Sequence, residues 1–140
     1  MPETTHGADA DSLHMRTHAP PGYACPLCRV AAGAERDAVV HEDEHLLVAL
    51  SLHQKERNPG SLLVFPRAHV ENIHTTPPAL LAALHTTART MARALTQALS
   101  ADGVTIVQNN APAGGRKCGT CMCMWCRVMP GMRSTRCRAR

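Results

Sequence analysis

Aromatic residues are almost missing from this 140-residue chain, which holds one Trp, one Tyr and one Phe. That scarcity argues against a surface that stacks single-stranded nucleic-acid bases, because such a surface needs several ring faces in succession. No apolar run is long enough to span a membrane, and Met1 to His18 is polar, without the hydrophobic region of a secretory signal. The protein is therefore expected to be cytoplasmic. Thiols stay reduced there, so the 7 cysteines, an odd number, read as metal ligands or buried thiols before they read as disulfides. Two further absences lie near the C-terminal end. No histidine follows His85 and no acidic residue follows Asp102, whereas Arg116, Lys117, Arg127, Arg133, Arg136, Arg138 and Arg140 do. The tail differs in composition from everything before it, although the net charge of the chain is only +4.

With 44% hydrophobic residues, the chain can bury one core, and nothing in it suggests a second domain or an internal repeat. Residues 1–22 lack an apolar period and read as a disordered leader, so His6, His14 and His18 are given no ligand role. Val39-Val40 and Leu46 to Leu50 are short apolar runs joined by a polar link, His41 to His45, which suits a hairpin. Ser61 to Phe65 is the next strand, announced by Asn58-Pro59-Gly60 and closed by Pro66, which cannot donate to a ladder. From Pro77 to Ser100 the residues Leu80, Leu84, Ala88, Met91, Leu95 and Leu99 recur every three or four positions, one face of a helix. Thr76 is the expected cap, Pro77 suits the first turn, Asp102-Gly103 ends the run, and Val104 to Gln108 follows as a strand. Strands, one helix, then a strand predict an α+β domain with the helix packed on an antiparallel sheet.

The chemistry begins with Cys25-Pro26-Leu27-Cys28, whose two sulfurs can meet one tetrahedral zinc ion at about 2.3 Å each. A thioredoxin-like redox role is weaker, because no βαβ pattern surrounds the pair. A four-cysteine zinc module with Cys118 and Cys121, binding nucleic acid through the arginines, is the alternative. Its pairs lie much farther apart than the roughly 15 to 20 residues usual in such modules.

Two other motifs complete a pattern: the strand Leu62 to Phe65 runs into Pro66-Arg67-Ala68-His69, and Gln108-Asn109-Asn110 precedes Gly114-Gly115. With Cys25 and Cys28, in this order around one long helix, they resemble the histidine triad (HIT) family from about Tyr23 to Gly115. The resemblance implies an α+β fold, a HIT-like antiparallel sheet with one long packed helix, usually as a homodimer. It implies a hydrolase or transferase acting at a nucleotide α-phosphate, with an adenine nucleotide as the expected partner. It also implies a structural zinc held by Cys25, Cys28, His69 and the first histidine of the triad. Asn109 matches the nucleotide-contacting asparagine, for which an amide that both donates and accepts is suited. Asn110 stands beside it as support, and His53 occupies the place where many members carry a ribose-binding acid. Surface positions without function are expected for His74 and His85.

The family should next show His-φ-His-φ-His, whose middle histidine attacks phosphorus. This chain instead reads Cys118-Gly119-Thr120-Cys121-Met122-Cys123-Met124-Trp125-Cys126, and no methionine can form the covalent intermediate. No catalytic residue is therefore assigned. The codons suggest why. Cys121 to Trp125 must be TGY-ATG-TGY-ATG-TGG, and one base upstream this reads NTG-YAT-GTG-YAT-GTG: with C at the open bases, Leu-His-Val-His-Val. Extended on both sides, the line becomes G-Q-E-V-W-H-L-H-V-H-V-V-P-R-Y-A, which resembles the triad strand. Both interleaved valines are forced by the code, whereas the histidines require C. A single-base deletion near Gly115, in the gene or in its record, is the expectation, with residues 23–115 the HIT-like domain and 116–140 an aberrant tail. A nucleotide-binding pseudoenzyme is the other outcome, since alternation through Cys121 to Met124 still permits a strand.

Overall fold

A computed structural model describes residue 19, residues 21–51, residue 54, residues 60–111, residue 114 and residues 124–129. Nearly all of the expected leader lies outside these residues, as do His53, Cys118 and Cys121.

Five antiparallel strands form one sheet: β1 (Val39–Glu42), β2 (Leu46–Leu50), β3 (Leu62–Pro66), β4 (Gly103–Val107) and β5 (Met124–Met129). Their spatial order is β1-β2-β3-β5-β4. A short helix α1 (Pro26–Ala31) and a long helix α2 (Pro78–Leu99) complete the domain, the α+β arrangement expected. No helix among the described residues is long and apolar enough to cross a membrane.

β2 reads Leu46-Leu47-Val48-Ala49 without a polar break because both of its faces are covered, and all four residues are buried. On one face Leu46, Val48, Leu62, Val64 and Cys126 pack against Leu84, Ala88 and Leu95 of α2. Complete burial of a side chain such as Leu84 contributes roughly 2 kcal/mol. On the other face Leu47, Ala49 and Phe65 meet Val30 of α1, with Leu27 and Ala31 beside it. The sheet thus carries two helices on opposite sides.

Element ends depart from expectation for local reasons. Thr76 does not cap α2, because its hydroxyl donates to the carbonyl of Asn72 at 2.7 Å. Pro77 holds the N-cap position and Pro78 the first turn, where no amide hydrogen is needed. Asp102-Gly103 is not the stop. Ser100 turns left-handed at φ 48° and the Ala101 amide donates back to the Thr96 carbonyl, ending the helix earlier. Pro66 joins β3 opposite Leu46, at the strand end where a missing donor costs little.

β5 lies between β3 and β4, with Leu62 opposite Cys126 and Thr105 opposite Arg127. The last strand of the sheet therefore comes from beyond Gly115. Its register has a simple cause. Cys126 is fully buried beneath α2, and burial pushes its thiol up to about 11, while Arg127 on the other side is half-buried. A slip of one residue would exchange the two and put a guanidinium under α2.

Candidate functional site

α1 begins at Pro26, whose fixed φ suits a first turn, so Cys25 becomes the N-cap and Cys28 follows one turn later. Residues three apart share a helix side, which directs both sulfurs the same way. Val30 and Leu27 hold α1 against Leu47 and Phe65. His69, four residues past Phe65, then meets the pair: its Nδ1 lies 3.1 Å from Cys28 Sγ, and the donor atoms of Cys25, Cys28 and His69 all lie within 4.8 Å of one another. Cys25 is buried, Cys28 half-buried and His69 exposed. A tetrahedral zinc ion needs sulfur–sulfur and sulfur–nitrogen separations of about 3.8 and 3.6 Å. Two thiolates and an imidazole are also the soft and borderline donors that zinc prefers. The three residues fit the ion with movements of about 1 Å or less.

The segment leading to His69 is fastened by charge. Arg67 donates from Nε to the Asp43 carbonyl at 2.8 Å and from Nη2 to Glu42 Oε2 at 2.7 Å, while Arg36 grips the same Glu42 carboxylate. Asp43 shapes the β1–β2 turn by accepting from the His45 and Leu46 amides, both at 2.8 Å, and those bonds lower its pKa. Hydrogen bonds from Arg36 and Arg67 hold the Glu42 carboxyl down at about 2, against an ordinary 4.5. A depressed carboxylate pKa stabilises the fold above the unfolded value, and that stability is lost as pH falls toward the folded value. The melting temperature of the parent is therefore expected to exceed that of Glu42→Gln at neutral pH, with the gap closing between pH 4.5 and about 2. A gap that persists at pH 2 would contradict this account.

After His69 the chain turns through Asn72, whose buried side chain accepts from the His74 and Thr75 amides at 2.9 and 3.2 Å. The next amide, Ile73, donates to Asn110 Oδ1 at 2.8 Å. Asn110 thus clasps the loop after His69 to the loop after β4, and Gln108 Nε2 lies 3.4 Å from the same oxygen. Asn109 is exposed next to this clasp. His53 lies outside the described residues, but its neighbour Gln54 closes that loop. Gln54 donates to the carbonyls of Ser51 and Ser61 at 2.7 and 2.8 Å and accepts from the Gly60 and Ser61 amides at 2.9 and 3.0 Å. Gly60 itself sits at φ 97°, open only to glycine at small cost. His74 and His85 are exposed, as expected. Sequence reasoning missed Gln54 and the Arg36–Glu42–Arg67 cluster, since an amide in a polar loop and charges 31 positions apart at the extremes carry no periodic signal.

Known proteins share this fold. The family model described as "HIT domain" matches residues 33–118. Protein hit of Bacillus subtilis is 30% identical over 92 residues, which cover 66% of this chain and 62% of that protein. Adenylylsulfatase HINT3 of Arabidopsis thaliana is 25% identical over 92 residues, 66% of this chain and 46% of its own length. The chain thus spans less than two thirds of either relative. A zinc-bound histidine triad family protein from Mycobacterium smegmatis superposes with a TM-score of 0.67 at 26% identity, covering 80% of this chain and 78% of the other. The matched stretch covers more than half of the chain and takes in the strand-end histidine, the long helix and the asparagine loop, and the chain belongs to the HIT family.

Proposed function

We propose that this chain is a HIT hydrolase or transferase by descent, built for a nucleotide α-phosphate of the dinucleoside polyphosphate or nucleoside phosphoramidate type, and inactive as it stands. One observation carries this reading. The family match runs to residue 118 and stops, and the strand that then fills the place between β3 and β4, Met124–Met129, belongs to a stretch with no histidine after His85. A single-base deletion near Gly115 accounts for both the lost triad and the basic tail. Asn109 is assigned to the nucleotide, an adenine nucleotide in the cytoplasm, with Asn110 supporting it through the clasp to Ile73 and His53 on the ribose side. Zinc at Cys25, Cys28 and His69 would tie α1 to the loop after β3. The contact between Cys28 and His69 favours this set over a four-cysteine module. Association as a homodimer is supported by exposed Ile106 and Val107 on the edge strand β4 and Leu99 at the end of α2.

Retention of the sheet and of the Asn109 loop favours a second reading, a nucleotide-binding pseudoenzyme. Equilibrium dialysis with an adenine nucleotide decides between it and a nonfunctional product. Binding that Asn109→Ala weakens about tenfold, without turnover, is the expected result, since losing a hydrogen bond to a charged group costs about 1.4 kcal/mol or more. No binding at millimolar nucleotide would remove the pseudoenzyme, and turnover by the chain itself would overturn the proposal of inactivity.

A further inference from the structure

The His69 ring is addressed from both sides. Its Nδ1 faces Cys28 Sγ at 3.1 Å, and its Nε2 lies 3.7 Å from Glu71 Oε1. A neutral imidazole carries one N–H and one lone pair, so a ring that ligates through Nδ1 must carry its proton on Nε2. The group waiting there is a carboxylate, which only accepts. Glu71 is also the better held of the two, with its side chain 19% exposed against 38% for His69. Its backbone is fixed at both ends, by β3 before it and by the Asn72 and Asn110 side chains that accept from the Ile73, His74 and Thr75 amides after it. At 3.7 Å the contact is an ion-pair distance, about 0.5 Å longer than a direct hydrogen bond.

Resting on the zinc reading above, we propose that Glu71 is a positioning residue that holds the Nε2 proton of His69 and presents Nδ1 to the metal shared with Cys25 and Cys28. An outer carboxylate of this kind fixes the ring orientation and makes the ligating nitrogen more basic. It also links the metal site to the Asn109 loop, because the residue two beyond Glu71 donates to Asn110.

The test uses the full chain with Glu71→Ala and Glu71→Gln. Zinc affinity is measured by competition with a chromophoric chelator, and the His69 tautomer is read from ring nitrogen-15 shifts in the metal-free protein. Glu71→Ala is expected to bind zinc about 10- to 100-fold more weakly, and Glu71→Gln, which keeps an acceptor, to fall between it and the parent. The Nε2–H tautomer should dominate in the parent and lose ground in Glu71→Ala. Equal melting temperatures of the metal-free proteins would separate this effect from a folding defect. Affinities within about twofold of the parent together with an unchanged tautomer would overturn the role of Glu71. A parent that binds no zinc would overturn the metal reading, and the tautomer shift would still report whether Glu71 holds the ring.

Discussion

Inserting one base ahead of the Gly115 codon is expected to raise turnover by a factor on the order of 10⁴ or more, as when a nucleophile is restored. The assay is release of the nucleoside monophosphate from a dinucleoside polyphosphate or a nucleoside phosphoramidate. In the restored frame, positions 120, 122 and 124 become histidine and positions 123 and 125 valine. A histidine can take phosphorus into a covalent phosphoramidate and divide one hard displacement into two easier ones, whereas Met122 and Met124 cannot. A restored chain that folds and remains inert would sink the frameshift account. So would codons for Cys121 to Trp125 that encode no histidine one base upstream.

The restored strand should also sit differently. In the present chain residue 126 lies under α2, and successive side chains of any strand alternate between its two faces. Kept in that register, an in-frame strand would aim its histidines into the apolar layer of Leu84, Ala88 and Leu95 and its valines away from it. The apolar pattern requires the reverse. Restoration is therefore expected to move the strand by one residue against β3, so that Leu62 no longer faces position 126. The present strand avoids that register because it would bury Arg127. A strand needs only backbone pairing and one tolerable face, which explains how Met124–Met129 completes the sheet without a histidine in it.

The same contrast between pattern and particulars decides what was legible. α2 was readable to within a residue or two because a 3.6-residue apolar period leaves few alternatives, and β2 because an unbroken apolar run must be covered on both sides. The family resemblance assembled Cys25, Cys28 and His69, though nothing in a separation of 41 residues states that Cys28 and His69 touch. Polar side chains that serve the backbone were not legible. Thr76 looks like a cap and instead satisfies Asn72, and Asn110, beside the expected nucleotide contact, accepts from the Ile73 amide. Such assignments depend on which backbone carbonyl or amide lies nearby in space, and the sequence does not carry that information. The strand at the tail was expected near Cys121 to Met124 from alternation alone, whereas the described strand begins at Met124 and continues to Met129, with Arg127 on the side away from α2.

Zinc is expected to stabilise the parent strongly and a Cys25→Ser variant not at all. A ligand that binds only the folded state adds about 4 kcal/mol when free at a thousand times its dissociation constant. For a domain of this size that corresponds to a rise of about 15 °C in melting temperature. Cys25 is the most telling ligand to replace, because it is buried at the start of α1 and its sulfur contributes to no β-ladder. Metal analysis should give one equivalent in the parent and none in the variant. Cobalt in place of zinc reads the donor set directly, since thiolate-to-metal absorption scales with the number of sulfur ligands. Two sulfurs would leave the fourth position to a non-sulfur donor or water. Three would assign it to a tail cysteine, which Cys118→Ser and Cys121→Ser would identify by returning the absorption to the two-sulfur level. Four, with His69→Ala unchanged, would reinstate the four-cysteine module. If the parent melts at the same temperature with and without zinc, the site is two thiols and a histidine in contact, and the attachment of α1 to the sheet rests on apolar packing by Leu27, Val30 and Ala31.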